Sequence, residues 1–227
     1  MLTGADRTEL PPVEAALVDV ATQITEAPWA FGIADLERLR AVGLSDASIL
    51  HVVVQSAFYS YLNRVIDAVG IDFDYDTGLS PFMKDTTREP VPRPAPASWP
   101  RGGPAWPLRL AERPVTHGAL KKLREYVFER EMPLTRRERR VVARAAAAAL
   151  CDTETLAVLA AGLPANEREK GLARFGEKLT LAPWRIGEGD VDAMRSLGLD
   201  DRAALDVVTV AAFQNMASRL TLVVGFD

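Results

Sequence analysis

The feature that most constrains this chain is that it repeats itself. The stretch APWAFGIADLERLRAVGLSDASILHVVVQSAFYSYLNRVIDAVGID begins at Ala27. APWRIGEGDVDAMRSLGLDDRAALDVVTVAAFQNMASRLTLVVGFD begins at Ala182, 155 residues later. The two align without a gap, and roughly two in five positions are identical. Ala-Pro-Trp, Gly-Leu-x-Asp, Ala-Phe, an arginine and a final Gly-x-Asp recur in register, and Leu17 and Thr25 upstream match Leu172 and Thr180. A match of this length marks a duplicated structural unit.

Each copy reads as three helices. The first is expected over Val13–Thr25 and Asn166–Thr180, with prolines near its start and another, Pro28 or Pro183, just past its end. A short helix follows, Asp35–Val42 and Asp190–Leu197, and Gly43 and Gly198 suit a left-handed C-cap. The third is long, Asp46–Val69 and Asp201–Val224, with Ser45 and Asp200 as N-caps. Its middle is apolar nearly all round, which calls for deep burial or a partner subunit. Two such helices in one chain lead us to expect a homo-oligomer, a dimer first.

Between the copies, Arg88–Pro107 (REPVPRPAPASWPRGGPAWP) alternates prolines that disfavour helix and remove backbone donors. An extended strap is expected, anchored by Trp99 and Trp106. Two further helices follow: amphipathic Thr116–Glu131, then one opened by the capping-box pair Thr135 and Glu138 and carrying the alanine run Ala145–Ala149. That run suits a close helix–helix contact. Asp152-Thr153 can cap another short helix ending near Gly162. No strand pattern competes, so the fold class is all-α. The organisation reads as 1–78 for the first repeat, 79–114 for the strap, and 115–227 for a core with the Cys151 helix and the second repeat, together one compact domain.

Cys151 is the only cysteine among 227 residues, which excludes an intrachain disulfide framework and fits a reducing cytoplasm. The net charge of −4 gives no argument for a nucleic-acid partner. The start of the chain lacks a signal-peptide pattern, and the apolar stretches end at Arg64 and Arg219, too interrupted to span a membrane. A cytoplasmic protein is expected.

LTRRERRVVARAAAAALC, followed by EKLT, Gly-Leu-x-Asp and an apolar helix ending like Phe58–Arg64 (FYSYLNR), resembles the alkylhydroperoxidase D-like, carboxymuconolactone decarboxylase-like superfamily. The closer resemblance is to its peroxidase-related branch, and GIDFDYDTGLSP looks like the tail such domains carry. The resemblance implies an all-α helical bundle, oligomers built by helix packing, and a Glu…Cys-x-x-Cys…His site that reduces peroxides. One thiolate attacks the peroxide and becomes a sulfenic acid; the second thiol closes a disulfide. On that pattern Glu138 and Cys151 are the candidate catalytic residues. Glu154 stands at the second cysteine position and Val158 at the histidine position, and no cofactor or metal is implied.

Two readings of Cys151 follow. A one-cysteine peroxidatic thiol, resolved by an external reductant, needs its pKa lowered by a helix N-terminus and by Arg140 or Arg144. A buried structural or vestigial thiol needs nothing further, and Glu154 one turn away opposes a thiolate. The second is favoured. It makes the protein a non-catalytic or binding homologue that has lost the dithiol cycle, possible partner of a small-molecule ligand. Cofactor-free decarboxylase or isomerase chemistry is a further alternative.

Glu138 reads first as a capping residue. Arg64 and Arg219 hold equivalent places and require partners if buried; Glu177 is the candidate for Arg219. His51 is expected at a solvated or interface spot and His117 in solvent. The two make no metal motif. Trp29, Phe58, Tyr59 and Tyr61 are expected in the core, with a pocket beside the first long helix as the alternative.

Overall fold

The structure is a computed structural model and describes residues 10–70, 87–99 and 110–225. Among these residues it is all-α, with nine helices and no strand. They are α1 (Pro12–Glu26), α2 (Ile33–Ala41), α3 (Asp46–Val69), α4 (Pro114–Phe128), α5 (Arg136–Ala149), α6 (Thr153–Val158), α7 (Glu167–Leu181), α8 (Glu188–Ser196) and α9 (Asp201–Val224).

The boundaries of α1, α2 and α3 recur in α7, α8 and α9, each shifted by 155 residues. Local chemistry repeats with them. Ser45 accepts the Ser48 N–H and Asp200 the Ala203 N–H, so each long helix has a side-chain N-cap. Both short helices begin two residues earlier than expected. The carboxylate of Asp35 accepts the Gly32 N–H at 2.8 Å, and that of Asp190 accepts the Gly187 N–H at 2.9 Å, so each aspartate lies inside the first turn. Asn166 is the N-cap of α7 rather than its first residue, and α4 ends at Phe128, short of Glu131.

Helix α9 lies at the centre, against α3, α5, α7 and α4. It is long and apolar enough to cross a membrane, and 89% of its most apolar stretch is buried inside the fold. Phe213 is 1% exposed and meets Phe128 edge-to-face at 5.9 Å between ring centroids. Helix α5 sits between α7 and α9. The alanine run allows this closeness: Ala146, Ala147 and Ala149 are fully buried. A Cβ added at Gly176 of α7 would lie 3.2 Å from the Val142 carbonyl oxygen of α5.

Helix α3 is different. Position by position it matches α9, yet His51, Gln55, Phe58, Tyr59 and Asn63 are exposed. Helices α4 and α5 supply the cover for α9; α1 and α9 cover only part of α3. The demand for extra cover expected of two long helices therefore rests on α3 alone.

The described part of the strap, 88–99, is extended apart from a 3-10 turn at Pro96–Ser98, and packs on its own chain. The Arg88 guanidinium lies 5.1 Å from the Trp184 ring centroid, and the Trp184 indole N–H donates to the Arg88 carbonyl at 3.1 Å. Arg93 pairs with Glu177 at 3.1 Å, and Arg185 with Glu89 at 2.7 Å. Trp106 and the segment 71–81 lie outside the described residues.

Each long-helix arginine caps a helix far from it in sequence. Arg64 on α3 donates to the Thr180 carbonyl at 3.0 Å, at the end of α7. Arg219 on α9 donates to the Thr25 and Ile24 carbonyls at 2.7 and 3.1 Å, at the end of α1. Glu177, expected as the partner of Arg219, binds Arg93 of the strap instead. Carbonyls at a helix end have no intrahelical donor and carry the negative end of the dipole, so a guanidinium satisfies both needs without a carboxylate.

Candidate functional site

Cys151 closes α5. Its N–H donates to the Ala148 carbonyl and the Asp152 N–H reaches back to the Ala147 carbonyl, at 3.2 and 3.0 Å. This is the double bond of a Schellman ending, with Cys151 at the position glycine usually takes and a φ of 61° to match. Cys151 therefore stands between two helix ends: one residue before Asp152, the N-cap of the six-residue α6, as expected, and at the C-terminal, negative end of the fourteen-residue α5.

The thiol is fully buried. Burial pushes its pKa up from the free-thiol value to about 11, against the pull of the strap's Arg93, the one charge that works the other way. The expected arginines act elsewhere. Arg144 donates to the Leu156 carbonyl at 3.0 Å at the end of α6, and Arg140 is exposed on α5. Glu154 and Val158 lie on α6, with Val158 72% exposed, so neither stands in for the missing thiol or imidazole.

Glu138 lies at the other end of α5. Thirteen residues at about 1.5 Å rise separate it from Cys151 by roughly 20 Å. One carboxylate oxygen accepts the Thr135 N–H and hydroxyl at 2.9 and 3.0 Å; the other accepts Arg168 at 2.6 Å. Burial acts to raise its pKa, but the Arg168 guanidinium and the Thr135 bonds outweigh it, and the carboxyl lies below its usual range. The structure does not bring Glu138 and Cys151 together, and Glu138 is a cap held in an ion pair.

The buried thiol has a measurable consequence at alkaline pH. Below about 9 it is protonated in both folded and unfolded chains. Between about 9 and 11 the unfolded chain releases a proton the folded chain keeps, so stability falls through that window. We expect the urea midpoint of the wild type to drop more from pH 8 to pH 11 than that of Cys151→Ala. Parallel curves would contradict the burial argument.

The concave feature is elsewhere, between α1 and α3: a groove of about 380 Å³ lined by Leu17, Ala21 and Thr25 from α1 and by His51, Gln55 and Tyr59, among others, from α3. Of the four expected aromatics only Tyr59 lines it. Phe58 is 44% exposed beside it, while Tyr61 and Trp29 are half-buried. His51 is exposed, as expected; His117, expected in solvent, is half-buried in the first turn of α4. A pocket beside the first long helix was the alternative to the core for these aromatics, and the groove lies there, with Tyr59 in its lining. Between α7 and α9 the corresponding space is filled by α5, and among the described residues no helix takes that place between α1 and α3.

Compared with protein-family models, curated proteins and solved structures, the chain matches none of them.

Proposed function

We propose that this chain is a non-catalytic, binding homologue of the alkylhydroperoxidase D-like class, built from two copies of a three-helix unit related by a pseudo-two-fold between α3 and α9. The reciprocal capping by Arg64 and Arg219 supports the two-fold. The resemblance of the α5 sequence supports the class. The observation that carries the loss of catalysis is Cys151: a sealed thiol at the negative end of a helix, with its pKa raised to about 11, is close to fully protonated at neutral pH. A one-cysteine peroxidase needs an accessible thiol with a lowered pKa. Decarboxylase or isomerase chemistry at this place needs a cavity shared by Cys151 and Glu138, and roughly 20 Å of helix separates them.

Peroxide consumption with dithiothreitol or thioredoxin as reductant tests this. We expect the wild type and Cys151→Ser to show the same rate, equal to that without protein. The native thiol should resist an aromatic disulfide reagent until guanidinium unfolds the chain. A wild-type rate lost in Cys151→Ser would overturn the reading.

A further inference from the structure

The groove between α1 and α3 has a filled counterpart in the same molecule. The residues 155 positions later belong to α7 and α9, and there the space between the two helices holds α5. Three anchors seat it. Glu169 binds Arg137 at 2.7 Å, Asp206 binds Arg139, and Gly176 lets the α5 backbone come close at Val142. Their counterparts are Glu14, His51 and Ala21, of which His51 and Ala21 line the open groove. Leu17, Thr25 and Val52 of the groove are identical to Leu172, Thr180 and Val207.

We infer that this groove receives a single α-helix from a different protein, one with a basic first turn and small side chains along its inner face. Size and charge both point there. Ala21 and Ser56 offer small side chains where a helix backbone must approach, as Gly176 and Ala211 do under α5. Glu14 lies one turn before Leu17 on the same stripe of α1; it is exposed and has no ion pair among the described residues. Its twin Glu169 is held by an arginine, so a cation on the incoming helix completes the pattern. His51 in place of Asp206 no longer calls for the second arginine, and an acidic side chain suits it better. Among the described residues the chain has one helix of this kind, α5, and it is already buried in the other slot. Among the described residues a second copy therefore has no such helix to lend.

This inference deepens the reading of the chain as a binding protein. It involves neither Cys151 nor peroxide, so the two tests fail separately. The probe is a labelled peptide with the sequence of residues 134–150 carrying Arg139→Glu, titrated with the full-length protein and followed by fluorescence anisotropy. We expect it to bind at least about tenfold tighter than a scrambled peptide of the same composition. The double variant Gln55→Arg/Tyr59→Arg, at two exposed positions, should weaken binding at least about tenfold while circular dichroism and melting stay unchanged. Glu14→Gln should weaken it about threefold, a difference that fades as salt rises from about 0.05 to about 0.5 M. Equal binding of the scrambled peptide, or full binding by the double variant, overturns the inference. So does a wild type that sediments as a dimer beside a monomeric double variant, because a second copy would then fill the groove.

Discussion

Arg139→Ala should be among the most destabilising substitutions in this chain, costing about 4 kcal/mol and lowering the melting temperature by about 10 °C. The Arg139 side chain is 1% exposed. It donates to both oxygens of Asp206 on α9, and to the carbonyls of Val127 at 2.9 Å, Arg130 at 3.0 Å, Leu134 at 3.2 Å and Met132 at 3.3 Å. One guanidinium thus joins the end of α4, the turn after it, α5 and α9. Removing it leaves a carboxylate that is 10% exposed without its cation, and several carbonyls without a donor. Asp206→Ala should cost a similar amount, and the double variant less than the sum, since each single change strands the other partner. Arg136→Ala is the contrast. Its side chain is 49% exposed and pairs with Glu129 and Glu131 in solvent, so about 0.5 kcal/mol is expected. Thermal melts and urea curves of the four variants check the set. An Arg139→Ala protein that melts with the wild type would show that the desolvation cost of the guanidinium cancels its bonds.

The helices were legible because their signals are local. The long helices begin at Ser45 and Asp200 and stop at Gly70 and Gly225, and cap chemistry plus the repeat placed both ends as the structure has them. Asp152 caps α6 as its sequence suggested, and the chain reaches Gly162 in a further turn. The left-handed ending of α5 left no such mark, because Cys151 holds that position without being glycine. Partners of buried charges were not legible. Arg139 finds Asp206 across 67 residues, and Arg219 finds carbonyls 194 and 195 residues away. Carbonyl acceptors leave no mark in a sequence, which is why a search for an acidic partner led to Glu177. The groove between α1 and α3 gains its meaning only once α5 is seen between α7 and α9.

Arg219→Ala should cost about 3 kcal/mol, a fall of about 8 °C in melting temperature, and more than Arg64→Ala. The two arginines hold equivalent places but not equal bonds. Arg219 donates from Nε to Ile24, from Nη2 to Thr25, and from Nη1 to the Asn215 backbone and side-chain oxygens at 3.0 and 2.8 Å. Arg64 reaches the Ser60 and Thr180 carbonyls, and its buried Nε has no hydrogen bond. Desolvation lowers the pKa of both, to about 10 for Arg64, and the charge of Arg64 presses Arg219 down further. Each guanidinium therefore stabilises the helix end it caps and destabilises its twin. From this the sign of their coupling follows. Removing one relieves the other of a like charge in a poorly screened interior, and each single variant gains that relief while the double variant gains it only once, so Arg64→Ala/Arg219→Ala should lose more stability than the two single losses added. Arg219→Lys separates charge from geometry. It keeps the cation but cannot bridge Ile24, Thr25 and Asn215 at once, and should lose most of what alanine loses. A double-mutant cycle by urea denaturation at pH 7 reads all of these. A lysine variant as stable as the wild type would mean that charge at the end of α1, rather than the fork of hydrogen bonds, holds α9 to α1.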